Sequence, residues 1–286
     1  MTADEQLLYE TRVRNRQAVV SALAAILLLA AAIVQLGGPH TKVDELTVDL
    51  ITANQRFPLD LIAALLNALG SLAVAWTLTF LYRSSSARKP ELKPFIKYIA
   101  IAGGVLAAIT GVVYAIVVAI KVHEFVTQGA QTYDEANRLT GATGLLALQL
   151  VGQAAALLLA VGFVLVSLNA LRVGLLSRFM GYLGIFAGVL VLFQITQVPV
   201  VQAYWLLAFA YLVSGRWPTG VPPAWRSGRA EPWPSSQEMR ANRLAAGGNG
   251  RAKPSATPAP ETVGASGMPG GRTRSGASKR KRKRRS

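Results

Sequence analysis

Gln149 and Gln153 stand inside the run GATGLLALQLVGQAAALLLAVGFVLVSLNA, residues 141–170, and no charged side chain occurs between Arg138 and Arg172. With Gly152, Ala156 and Ala160 they fall at i, i+3, i+4, i+7 and i+11, which is one face of a helix. An amide in apolar surroundings is costly unless it is paired. Two chemistries fit the pattern. The small residues let another helix approach closely while the amides hydrogen-bond across the contact. Alternatively, the same face lines a polar path for a solute.

Few other residues are chemically promising. Asp60 is the one ionisable group clearly inside an apolar run, and such groups mark ion and substrate pathways. It also sits about one turn from a helix start, where an acid is favoured by the dipole. Asn67 shares a face with Ser71, beside Gly70. His40 and His123 are the only histidines, and both fall in polar loops. They could approach each other with Asp44, Glu45 or Glu124 as metal co-ligands, although histidines in such loops are usually just solvated. With no cysteine, thiol nucleophiles, disulfides and cysteine metal sites are excluded. No H-E-x-x-H, phosphate loop or G-x-S-x-G elbow is present. No catalytic residue and no cofactor is expected.

The sharpest charge feature is the end of the chain. Lys279, Arg280, Lys281, Arg282, Lys283, Arg284 and Arg285 run consecutively. This segment has no aromatic side chain to stack a base and no amide to read one. It should bind polyanions by charge alone, either anionic lipid headgroups or RNA, including ribosomal RNA, without sequence preference. A topology anchor with no dedicated partner is the plainer alternative.

The elements that must position these residues are apolar helices. Thirty helical residues at 141–170 span roughly 45 Å, more than a hydrocarbon core of about 30 Å. Further runs at 18–36, 58–82 and 95–120 read as spans. The 37 uncharged residues from Phe179 to Gly215 are too long for one, so a hairpin at Gln197–Pro199 divides them into 179–196 and 199–215. The first run follows Arg12, Arg14 and Arg16 like a signal sequence, but it is long and lacks a convincing A-x-A site, so an uncleaved span is expected. Pro58 suits the first position of the second span. Gly103, Ala107 and Gly111, and likewise Ala100, Gly104 and Ala108, form small-residue faces suited to the fourth span. Gly181, Gly184 and Gly188 line one face of the fifth.

The polar stretches have their own signals. Val43, Leu46 and Leu50 suggest a short amphipathic helix, and Thr132 with Glu135 a capping box. Trp217, Trp225 and Trp233, each near a proline, suit an interfacial belt. Ser235 and Glu238 could cap a short helix running to about Ala246.

Charge then sets orientation. The net charge is +16; residues 215–286 carry 16 Lys/Arg against 3 acids, or +13, which leaves +3 for the rest. The N-terminus, the 83–97 loop and the 172–178 link hold 3, 5 and 2 Lys/Arg, against 2 each in loops 37–57 and 121–140. The positive-inside bias places both termini in the cytoplasm, and six spans require both on one side.

The expected fold is therefore an all-α polytopic membrane bundle of six transmembrane helices with a disordered basic tail. Its parts are a cytoplasmic N-terminus (1–17), the transmembrane domain (18–215), a Trp/Pro-rich juxtamembrane segment (216–246) and the polybasic tail (247–286). The segment NALRVGLLSRFMGYLGIFAGVL, residues 169–190, with the following QVPVVQAYWLLAFAYLVSGRWP and PPAW, resembles uncharacterised six-span integral membrane proteins of high-GC bacteria. That resemblance implies a bacterial plasma (inner) membrane and no activity or functional residues. The expected function is a non-enzymatic scaffold or recruitment protein acting through its tail. The alternative is a small-solute permease or channel using Gln149, Gln153, Asn67 and Asp60.

Overall fold

The computed structural model describes residues 3–39, 45–193, 199–217 and 220–233, with 240, 241 and 244 standing apart. The chain divides into two compact units, Met1–Pro234 and Ser235–Ser286. Among the described residues the first unit is all-helical, without a strand: α1 (Ala3–Leu36), α2 (Leu46–Arg56), α3 (Leu59–Arg88), α4 (Phe95–Thr127), α5 (Tyr133–Thr140), α6 (Thr143–Arg172), α7 (Arg178–Phe193), α8 (Val200–Val213) and α9 (Pro223–Ser227). Of these, α1, α3, α4 and α6 are long and apolar enough to cross a membrane. The apolar α7 and α8 have 16 and 14 residues, about 24 and 21 Å of helix. Neither reaches the length of the other four, and their described bounds fall inside the expected 179–196 and 199–215 except for Arg178. Residues 194–198, which hold most of the expected hairpin, lie outside the described residues, and Pro199 stands immediately before α8.

The first helix departs most from expectation. The polar residues expected as the N-terminus are helical in their described part. From Ala3 onward they are continuous with it. Gln6, Glu10, Gln17 and Ser21 are all buried, and their spacing of 4, 7 and 4 places them in one stripe that continues into Ala24, Ala25 and Leu28. The polar face of this segment points inward because partners on α3 satisfy it. Gln17 Nε2 donates to the Ser21 and Thr77 hydroxyls at 3.4 Å each, and Ser21 and Thr77 lie 3.1 Å apart.

Other boundaries move for similar reasons. α3 continues to Arg88 rather than ending near Tyr82, and α4 runs to Thr127 rather than Ile120. Charged residues extend both helices past their apolar cores, because charge does not break a helix. Pro58 caps α3 from outside its first turn instead of opening it. The expected surface helix exists as α2, with no buried side chain; Val43 lies outside the described residues. Thr132 caps α5, accepting from the Glu135 N–H at 3.4 Å. The Glu135 carboxylate reaches Gln131 N at 3.1 Å, one residue before the cap.

Packing follows the chain order α1–α3–α4–α6–α7, and α8 returns against α1 and α7. Small residues set these contacts. A methyl on Gly103 would lie 2.7 Å from Leu159 Cα, and one on Gly162 would lie 2.8 Å from Ala100 Cα. The two expected faces of α4 do not both serve α6. Gly104 meets Ala75 and the Ser71 carbonyl of α3, and Gly111 has nothing within 4 Å. The cause is geometric: each four-residue step turns about 400°, so a small-xxx-small row drifts about 40° per step off a straight seam. The contact line instead uses Ala100, Gly103, Thr110 and Tyr114, alternating steps of three, seven and four. The α7 glycines behave as expected, with Gly181 against Leu171, Gly184 against Ser167 and Gly188 against Val164.

The bundle's outer surface is apolar. Leu150, Trp76 and Ile109 are 72%, 59% and 55% exposed. Large apolar side chains exposed in this number on the long helices suit a non-aqueous or protein environment.

Candidate functional site

The end of the bundle that carries α1's first turns and α3's last turns is built around Arg88. Its side chain is fully buried, beside a Glu10 carboxylate that is 3% exposed. Nη1 donates to Glu10 Oε1 at 2.6 Å and to the Ser84 carbonyl at 2.8 Å. Nη2 donates to Glu10 Oε2 and to the Ala224 carbonyl, both at 2.8 Å, and Nε donates to Ala224 at 3.0 Å. A guanidinium has five N–H donors, and all five are engaged. Gln6 Nε2 donates to the same carboxylate at 2.8 Å. The charges are taken out of water only because every donor and both acceptor oxygens are satisfied.

This cluster fixes the segment after α8. Ala224 and Trp225 belong to α9, the PPAW motif. The Trp225 indole lies 5.3 Å below the guanidinium, is stacked with Phe80 at 6.0 Å, and donates Nε1–H to the Leu175 carbonyl at 2.9 Å. Trp225 is therefore a buried part of the bundle end, not an interfacial belt residue. Arg14 Nε donates to the Val213 carbonyl, and Glu231 N to Val173 at 3.2 Å. Five chain regions (α1 start, α3 end, α6–α7 link, α8 end and α9) meet at this basic end. Sequence reading missed the cluster because Glu10 and Arg88 are 78 residues apart and each looks like an ordinary solvated charge. The one local signal was a Gln6–Glu10 pair at i, i+4.

The residues singled out for a solute path are scattered. Gln149 donates to the Tyr114 hydroxyl at 3.2 Å from an exposed position. Gly152 faces α4, where an added methyl would lie 3.9 Å from Thr110 Oγ1. Gln153 is exposed. Asp60 is 43% exposed and paired with Arg56 at 2.9 Å; Arg56 also donates to the Gln35 carbonyl at 2.7 Å, pinning the end of α1. Asn67 and Ala156 both line a cavity of about 860 Å³ among α1, α3, α4, α6, α7 and α8. Its other walls are mostly aliphatic, with Gln35, Ser71 and Gln202 as polar groups; Gln149, Gln153 and Asp60 do not line it. The Gln149–Gly152–Ala156 row is thus a packing seam along α4 that opens onto this cavity.

His123 is exposed, and His40 lies outside the described residues, as do the basic residues 279–285. Among the described residues no group of three His, Asp or Glu could hold a metal. No family model matches this chain, and no curated protein or solved structure is similar to it.

Proposed function

We propose that the chain is a multi-pass protein of a bacterial inner membrane, crossing it six times with both termini cytoplasmic, and that it acts as a non-enzymatic scaffold. In this reading Lys279 to Arg285 recruit it to anionic lipid headgroups or RNA. The observation that carries the scaffold over the permease is that Gln149, Gln153 and Asp60 do not line the cavity that Asn67 and Ala156 line. A coupled transporter would gather such groups on one path. The fixed basic end also suits a scaffold, because α9 is clamped to the bundle rather than free to move. The contact of Arg14 with Val213 brings the first turns of α1 to the end of α8, which supports an even number of crossings. The positive-inside bias then puts this basic end in the cytoplasm.

The absence of cysteine makes single-cysteine labelling free of background. In sealed cells Gly129→Cys and Val200→Cys should react with an impermeant maleimide, and Lys89→Cys and Arg226→Cys only after permeabilisation. Protection of Val200→Cys with labelling of Gly129→Cys would mean that α7 and α8 enter and return without crossing. Labelling of Lys89→Cys from outside would invert the topology.

The function is tested by flux and by vesicle binding. Purified protein in proteoliposomes should show no solute flux above empty vesicles. The isolated 247–286 segment should bind anionic vesicles, and binding should fall steeply from low to physiological salt as counterions are released and charge is screened. Replacing all seven basic residues with Ser should abolish that binding. Solute flux abolished by blocking the Asn67 cavity would establish the permease instead.

A further inference from the structure

Beside the Arg88 cluster a recess of about 780 Å³ opens between the first turns of α1, the last turns of α3 and the chain after α9. That volume is in the range of small-molecule sites. Its charge is unbalanced. Arg83, Arg88 and Arg229 line it, and among the described residues no Asp or Glu does. Glu10 neutralises Arg88 from behind. Arg83 and Arg229 are exposed, and among the described residues neither pairs with an acidic side chain.

Both arginines are held on fixed supports. Arg83 projects from α3, five residues before Arg88. Arg229 follows Gly228, whose φ of +67° ends α9 and turns the chain back over the recess. The left-handed turn favours glycine there. The Arg229 N–H is held by Ser227 Oγ at 3.3 Å, and α9 itself is clamped by Arg88 and Trp225. Arg88 also takes the Ser84 carbonyl, and its positive charge offsets the negative helix end that would repel an anion. Tyr9 and Ser86 also line the recess, the Ser86 hydroxyl donating to the Arg83 carbonyl at 3.0 Å.

We propose that this recess binds a phosphate-bearing anion between the guanidiniums of Arg83 and Arg229. A carboxylate is satisfied by one arginine fork. A phosphate presents oxygens on opposite sides and can accept from two. The phosphate could belong to a lipid headgroup, given four helices able to cross a membrane, or to a soluble phosphate ester. The site is independent of the basic run at 279–285.

The test uses the full-length chain in detergent. Native mass spectrometry with equimolar phosphatidylglycerol and phosphatidylcholine should show phosphatidylglycerol retained roughly tenfold more, the scale of a charge-assisted contact. Arg83→Gln/Arg229→Gln should bring that ratio to within about twofold, while seven serines at 279–285 leave it unchanged. Because both arginines are exposed, the double variant should fold, and an unchanged melting temperature checks this. Arg83→Lys/Arg229→Lys keeps the charge without the fork and should retain part of the preference. If the lipid ratio is flat but inorganic phosphate raises the melting temperature of the wild type and not of the glutamine variant, the ligand is a soluble phosphate. A lipid preference that survives in the glutamine variant, or no arginine-dependent effect of either ligand, overturns the proposal. Loss of lipid preference in the serine variant alone would assign it to the tail and also overturn the site.

Discussion

Arg88→Ala is expected to destabilise the bundle by about 3–5 kcal/mol, the range for breaking a buried ion pair from one side. The substitution removes all five donors at once and leaves Glu10, 3% exposed, with an uncompensated negative charge. It also frees the Ala224 carbonyl and removes the cation over Trp225, so α9 should detach. In thermal unfolding followed by tryptophan emission, the apparent midpoint should fall by roughly 10 °C. Acrylamide should gain access to Trp225. Glu10→Ala should be comparably damaging, because it leaves a buried guanidinium with only carbonyl partners. Glu10→Met/Arg88→Met should lose less than the sum of the two alanine variants, since it removes both charges and fills their volume. A midpoint for Arg88→Ala within about 2 °C of wild type would mean that water reaches the pair and that this end of the bundle is looser than described.

Gly103→Leu should cost about 3 kcal/mol or more, at or above the usual range for overpacking. The obstacle is backbone: a methyl on Gly103 would already sit 2.7 Å from Leu159 Cα and 2.9 Å from the Leu158 carbonyl carbon. Backbone cannot swing aside as a side chain can, so α4 and α6 must separate along the seam. Gly111→Leu is the internal control. It lies two four-residue steps along the same row, with nothing within 4 Å, and should change stability by no more than about 0.5 kcal/mol apart from a helix-propensity gain of up to about 1 kcal/mol. Gly152→Leu, across from Thr110 at 3.9 Å, should fall between them. Folded yield by size exclusion and the unfolding midpoint would order the three. Equal losses at Gly103 and Gly111 would refute the drift of the four-residue row away from the seam.

The sequence by itself determined the class of this protein. Long uncharged runs and the clustering of charge between them imply apolar helices, because few other structures bury that much backbone without water. It also determined the Thr132 cap of α5, the existence of α2 and the α7 glycine face, all of which depend on residues within a few positions of one another. Local pattern fell short where the decisive partner is remote. Gln6, Glu10 and Gln17 read as a polar terminus, since a polar stripe looks the same whether water or Arg88 and Thr77 satisfy it. The rows through Gly104 and Gly111 read as contacts with one helix, since periodicity shows which residues share a face but not which neighbour that face meets. Gln149, Gln153, Asn67 and Asp60 read as one polar set, since sequence counts polar groups without placing them. Only tertiary structure decided that Asp60 answers Arg56, that Gln149 answers Tyr114, and that Asn67 alone of the four reaches the cavity. It also decided that a tryptophan expected at the lipid interface instead closes over a buried arginine. The physical reason is common to these cases: the energy of a charge, an amide or a glycine lies in what stands opposite it, and that position is set by folding.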